Sequence, residues 1–283
     1  MAGAKEIRRR IKSVSNTKQI IKAMELVSVV KMQRAVSNNL ASRSYSKSAD
    51  EILSNLCEGI NLSDHPFLLP REGKRKLVIL VTSDRGLCGG LNMKAIKKAL
   101  DESKDCNEVG FITIGRKGRD FLKSYGYKII AEFTKIDDHP NFSQIMPIIN
   151  VVTGDFLADR YDQAVLVYSH FQSILMQKPT VLNLLPFSGP NVCNSGQDKI
   201  TFEPDKDKIL DSLIPRMLEI KVWQSFLESI ASEHSARMVA MKNANENAEE
   251  LISDLTLTFN QTRQAGITKE IAEISAGKMT LEE

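Results

Sequence analysis

The sequence predicts an α/β plus coiled-coil protein: long N- and C-terminal helices forming an antiparallel coiled coil, with a Rossmann-like α/β domain inserted between them. Three observations carry this. Residues 1–57 contain one glycine, Gly3, and no proline. No glycine lies between Gly196 and Gly266, and no proline follows Pro215. The stretch between these two ends alternates short β-branched runs with helical patterns, the mark of a mostly parallel sheet. The implied division is 1–58 for the N-terminal coiled-coil helix, 74–190 for the α/β globular domain and 205–283 for the C-terminal coiled-coil helix.

In the N-terminal segment apolar residues recur at helical spacing, as Ile7, Ile11 and Val14, then Ile20, Ala23, Val27 and Val30. The C-terminal segment is more regular. Steps of four and three run through Leu213, Met217, Ile220, Gln224, Leu227, Ala231, His234, Met238, Met241, Asn245, Ala248, Ile252, Leu255, Phe259, Thr262 and Gly266. Most are apolar, as in the a/d seam of a coiled coil. Polar Gln224, His234 and Asn245 read as register-setting interruptions, and Pro215 would kink the helix if it lies within it. Residues 1–47 carry a net charge of +9 and residues 216–283 a net charge of −4. The two arms therefore have an electrostatic reason to attract as well as a shared heptad stripe.

In the middle, Leu77–Val81 reads as a buried strand, followed by a glycine-rich turn and a helix from Asn92 to Ser103. Val109–Ile114, Lys128–Phe133 and Ala164–Tyr168 read as further strands, with helices after Gly115 and over Gln144–Leu157. Ile174–Met176 and Val181–Leu185 read as a hairpin.

Candidate chemistry is sparse. Cys57, Cys88, Cys106 and Cys193 are scattered and form no C-x-x-C pair, which argues against zinc and disulfides. His65, His139, His170 and His234 form no H-E-x-x-H. No metal or cofactor is expected. The turn Thr82–Asn92 follows the first strand where a phosphate would bind, yet it is neither G-x-G-x-x-G nor G-x-x-x-x-G-K-[ST]. Its glycines read as a tight strand-to-helix connection. Ser83 and Asp84 have no histidine near them in sequence, and Cys88 reads as a small packed residue. No apolar run approaches the roughly 20 residues a transmembrane helix needs, and no signal peptide precedes the first helical pattern.

Three blocks carry a resemblance. They are Ile11–Val27 (IKSVSNTKQIIKAMELV), Ser83–Asn92 (SDRGLCGGLN), and Glu233–Ala244 (EHSARMVAMKNA) continued by Arg263–Ile274 (RQAGITKEIAEI). Together they resemble the gamma subunit of the F-type ATP synthase, in its bacterial form, across essentially the whole chain. The resemblance implies a central rotor stalk that couples proton-driven rotation of the c ring to conformational change at catalytic beta subunits. It implies no catalysis by this chain, and partners in the alpha and beta subunits, the epsilon subunit and the c-subunit ring. Membrane association would come only through the complex, at the cytoplasmic face of the bacterial inner membrane. By matching position, Lys22, Met24, Arg263, Gln264, Thr268, Glu270 and Glu273 are implied beta-subunit contacts, and Glu203 belongs to the foot facing the c ring and epsilon. The tail from Lys278 to Glu283 departs from the small, apolar end usual in the family. No inserted loop with a close cysteine pair is present, so thiol regulation is not expected. The alternative reading is a basic coiled-coil nucleic-acid-binding protein using the +9 arm.

Overall fold

A computed structural model describes residues 2–57, 66–71, 73–135, 140–187 and 206–279. In chain order the elements are α1 (Ala2–Cys57), β1 (Arg75–Val81), α2 (Leu91–Asp101), β2 (Glu108–Ile114), α3 (Arg116–Ser124), β3 (Ile129–Phe133), α4 (Met146–Leu157), β4 (Gln163–Phe171), β5 (Gln177–Leu185) and α5 (Lys206–Met279). A short 3-10 turn, Phe142–Gln144, leads into α4. The chain forms two compact units. One comprises Met1–Ser28 with Met238–Glu283, and the other is Val29–Arg237.

The larger unit is built on a five-stranded sheet of order β3-β2-β1-β4-β5. Strands β3, β2, β1 and β4 are parallel, and β5 is antiparallel to β4. Successive side chains of a strand point to opposite faces, and both faces are covered. Leu77, Ile79, Val81, Ile112, Ile114, Ala164 and Leu166 pack with α4 residues Ile148, Ile149 and Val152 and α5 residues Met217, Ile220 and Ile230. Val78, Leu80, Phe111, Val165 and Val167 pack with Ala95, Ile96 and Ala99 of α2 and Leu122 of α3. Two-sided burial explains why β1 reads as an unbroken apolar run. Each fully buried Leu or Ile contributes about 1.5–3 kcal/mol.

One sequence expectation changes here, and one left open is settled. Ile174–Met176 is not a strand: it belongs to the turn joining β4 to β5, and β5 begins at Gln177. The hairpin is therefore β4 with β5, and the apolar tip residue Leu175 is 81% exposed. Pro215 does lie inside α5.

The smaller unit consists of two helical segments alone, so whatever is shielded in it is shielded by the facing helix. On α5 the less exposed positions are Met238, Met241, Asn245, Ala248, Ile252, Leu255, Phe259, Thr262 and Gly266, in the seam the sequence predicts. On α1 they are Ile7, Ile11, Val14, Lys18, Ile21, Glu25 and Ser28. Past Val14 this is not the expected stripe. Ile20 is 62% and Val27 54% exposed, and Ala23 and Val30 also face outward. The true seam keeps strict heptad spacing but passes through polar residues. Lys18 reaches Glu249 across the seam at 3.3 Å. Glu25 is held by Lys22 at 3.1 Å, and the Ser28 hydroxyl donates to the Met24 carbonyl at 2.7 Å. The helices run antiparallel: Lys18 meets Glu249, while Gly3 lies beside Thr262. Because the Glu249 side chain is 71% exposed, such a pair contributes about 1 kcal/mol or less. Apolar seam packing, rather than charge, therefore does most to hold these helices together.

One glycine is required by close approach. Gly115 has φ +95°, and a Cβ there would lie 2.0 Å from the Thr82 carbonyl oxygen. Gly115→Ala is expected to destabilise the larger unit by roughly 3 kcal/mol, read as a lower urea midpoint. A midpoint equal to wild type would contradict the strain argument.

Candidate functional site

The residues implied as partner contacts occupy two levels of the paired helices. Lys22 and Met24 follow Lys18 by about one turn, so in antiparallel register they face α5 near Asn243–Asn245. Arg263–Glu273 begins roughly twenty residues further along α5, or about 30 Å of helix. The seven positions therefore form no single cluster. Lys22 is exposed and ion-paired with Glu25, whereas Met24 is half-buried beside the seam.

At the second level every residue from Ile267 to Ser275 is exposed, past the point where Gly3 of α1 lies beside Thr262. Ile267, Ile271 and Ile274 form an apolar stripe at helical spacing, and Ile274 is 73% exposed. At 3.6 residues per turn, Gln264 and Thr268 flank this stripe on one side. Arg263, Glu270 and Glu273 flank it on the other. Glu273 pairs with Lys269 at 3.7 Å. Polar margins around a greasy stripe are the anatomy of a contact surface. Glu203 lies outside the described residues.

In a second polar region the sequence singled out only Gln224 and His234, as register-setting interruptions, because its other members look like ordinary helix residues. On the larger unit's stretch of α5, Gln224, Glu228, Ser232, His234 and Arg237 are all buried. Gln224 donates to Asn39 of α1 at 2.7 Å and to Glu228 at 3.4 Å. Glu228 also takes a hydrogen bond from His170 of β4. Ser232 donates to the Ser169 carbonyl at 2.9 Å. The Arg237 guanidinium donates to the carbonyls of Gly86 and Arg85 at 3.3 and 3.4 Å. It also donates to His234 Nδ1 at 3.2 Å and Glu233 at 2.6 Å. One signal was visible in advance: a run of polar residues inside a helix otherwise committed to a core.

Tyr168 belongs to the same band. Burial and the neighbouring Glu228 carboxylate push its phenol up to about 12, from an ordinary value near 10. A raised folded value means that stability is fully present below pH ~10 and is lost as pH rises towards ~12. Tyr168→Phe should remove roughly 2–3 kcal/mol of that alkaline loss. The check is the difference between the variant and wild-type unfolding curves from pH 9 to 12. Parallel curves would refute it.

The turn Thr82–Leu91 is held by its own side chains. Asn92 donates to Ser83 Oγ at 2.7 Å and to the buried Cys88 sulfur at 3.3 Å. Asp84 accepts from the backbone amides of Arg116 and Lys135 at 2.9 and 2.8 Å. Ser83 and Asp84 thus act as loop staples, with Asp84 also joining the start of α3 to the segment after β3. Among the described residues no group of His, Cys, Asp and Glu is arranged to hold a metal ion. No described helix is long and apolar enough to cross a membrane.

Two long helices paired antiparallel along a heptad seam, with a mostly parallel α/β sheet between them in sequence, define the class as a coiled-coil protein with an inserted α/β domain. Comparison with known proteins makes the class specific. A family profile described as ATP synthase matches residues 3–281. An ATP synthase gamma chain from Roseiflexus sp. (strain RS-1) is 43% identical over all of both chains. One from Chloroflexus aurantiacus is 41% identical over 99% of each. Among solved structures, a chain from the rotor of the Euglena gracilis mitochondrial ATP synthase superposes with a TM-score of 0.68 at 18% identity, covering 94% of this chain and 99% of that one. A chain from an OSCP/F1/c-ring structure of the same enzyme gives 0.71 at 19% identity, covering 99% and 94%. This chain belongs to the ATP synthase gamma-chain family. Nothing in these relatives supports the nucleic-acid alternative.

Proposed function

We propose that this chain is the central rotor stalk of an F-type ATP synthase, turning with a proton-driven c ring and forcing the catalytic beta subunits through their conformations. The observation that carries the reading is the gamma-chain likeness over the full length, joined to an antiparallel helix pair that ends in a single, uncovered helical turn region. The chain itself catalyses nothing in this reading: it supplies shape, stiffness and contacts, while nucleotide chemistry belongs to the beta subunits. Heptad packing gives stiffness because each seam residue fills a hole on the facing helix. Rigid rotation of such an element is one of the recognised ways of switching distant sites.

Within this reading, Arg263, Gln264, Thr268, Glu270 and Glu273 meet beta-subunit loops from the margins of the isoleucine stripe, and Lys22 and Met24 meet them at the lower level. Glu203 and its neighbours form the foot toward the c ring and epsilon. Functionally, the divisions are 1–58 and 205–283 for the stalk and 74–190 for the foot. The complex would lie at the cytoplasmic face of a bacterial inner membrane, with this chain held there through its partners. The test is reconstitution with alpha and beta subunits followed by an ATPase assay with a rotation probe on the foot. Hydrolysis-driven, unidirectional rotation is expected. Failure to join alpha and beta in a stoichiometric complex would overturn the reading.

A further inference from the structure

In open α/β sheets, ligands bind in the crevice outside the carboxyl ends of the strands, where the strand order reverses. Here the chain leaves β1 for β2 and β3 on one side, then returns to β4 on the other. The reversal therefore lies between β1 and β4. That crevice is filled by the chain's own α5. At the carboxyl end of β4, Glu228 meets His170 and Ser232 meets the Ser169 carbonyl. Beyond β1, Arg237 meets the carbonyls of Arg85 and Gly86.

The polarity of the turn fits this occupant. A phosphate-binding turn aims backbone N–H groups at an anion. The Arg85–Gly86 stretch instead presents two carbonyl oxygens to a cation. That guanidinium is only 9% exposed, and its charge is balanced by Glu233. Its planar fork can grip two carbonyls at once, which a lysine ammonium does less well. Ser83 adds a second donor to the Arg85 carbonyl, so this oxygen is satisfied from both sides. Arg237 is also the last residue of the larger unit along α5.

We propose that the switch-point crevice is an intramolecular docking site for α5, and that Arg237 is the positioning residue that fixes the rotational setting of α5 against the carboxyl ends of β1 and β4. Its consequence for torque rests on the rotor reading above; the docking itself does not. Without the guanidinium the Arg85–Gly86 carbonyls lose their charged donor and the turn opens more often. Cys88, 2% exposed beneath that turn, reports the opening.

The experiment is maleimide labelling of Cys88 in the assembled complex, with Cys57, Cys106 and Cys193 replaced by serine and labelling read by mass spectrometry. Arg237→Gln should label about tenfold faster than wild type, the population change expected from losing a hydrogen bond to a charged donor. Arg237→Lys, which keeps the charge and the assembly, should fall between. Wild-type labelling rates in both variants would overturn the proposal. So would lost coupling in Arg237→Gln with unchanged Cys88 labelling, since Arg237 would then act on another subunit. Faster labelling with intact coupling supports the docking site and removes only its consequence for torque, whereas failure of the chain to assemble with alpha and beta subunits would count against the rotor reading, which keeps the two distinguishable.

Discussion

Met24→Lys is expected to uncouple the complex without disassembling it. Met24 is half-buried at the edge of the seam, next to the Lys22–Glu25 pair. A lysine there adds a second ammonium beside Lys22 and competes with it for Glu25. It also replaces an adaptable apolar side chain with a charge facing the proposed beta-subunit contacts. A new charge contact worth about 1.4 kcal/mol changes a rate or equilibrium about tenfold. The rate of proton pumping should therefore fall about tenfold, more than the rate of ATP hydrolysis, while the amount of assembled complex stays near wild type. The measurement is ATP hydrolysis and proton pumping on the same vesicles, normalised to gamma content. If both fell strictly in proportion to assembled complex, the effect would be on folding, and Met24 would have no role at the interface.

Glu228→Ala should destabilise the larger unit about as much as Gly115→Ala. The carboxylate is 6% exposed and accepts from His170 and Gln224. Truncating it strips both donors of their acceptor inside a core that admits little water. Removing one partner from a buried charged network costs about 3 kcal/mol, a fall of several degrees in Tm. Glu228→Gln keeps a carbonyl acceptor and should recover much of the loss. Equal melting temperatures for the alanine and glutamine variants would show that the hydrogen bonds contribute little.

Much of this was legible in the sequence, for identifiable reasons. The α5 seam was readable because apolar residues fill most of its heptad positions. The strands of the sheet were readable because burial on both faces turns them into continuous apolar runs. The α1 seam past Val14 was misread because Lys18, Glu25 and Ser28 occupy positions that hydrophobicity assigns to solvent. Each is tolerated there by a partner the sequence does not reveal: Glu249 across the seam, Lys22 one turn earlier, and the Met24 carbonyl. Ile20 and Val27 meanwhile supplied a false stripe that this chain does not bury. The contact residues were named through resemblance alone. Geometry adds that they occupy two levels, the upper one arranged around exposed isoleucines.

By itself the sequence determined the alternation of strands and helices up to β4, the α5 seam and the family, because hydrophobic period and local motif are properties of the chain read in one dimension. Tertiary structure decided which face of α1 meets α5, that the Ser83–Asp84 pair staples a loop, and that α5 fills the crevice between β1 and β4. Each of those depends on contacts between residues far apart in the chain: Lys18 with Glu249, Asp84 with Lys135, and Arg237 with Gly86. Such pairings carry no local period, and a buried arginine on a helix reads like any solvated one until its acceptors are in place.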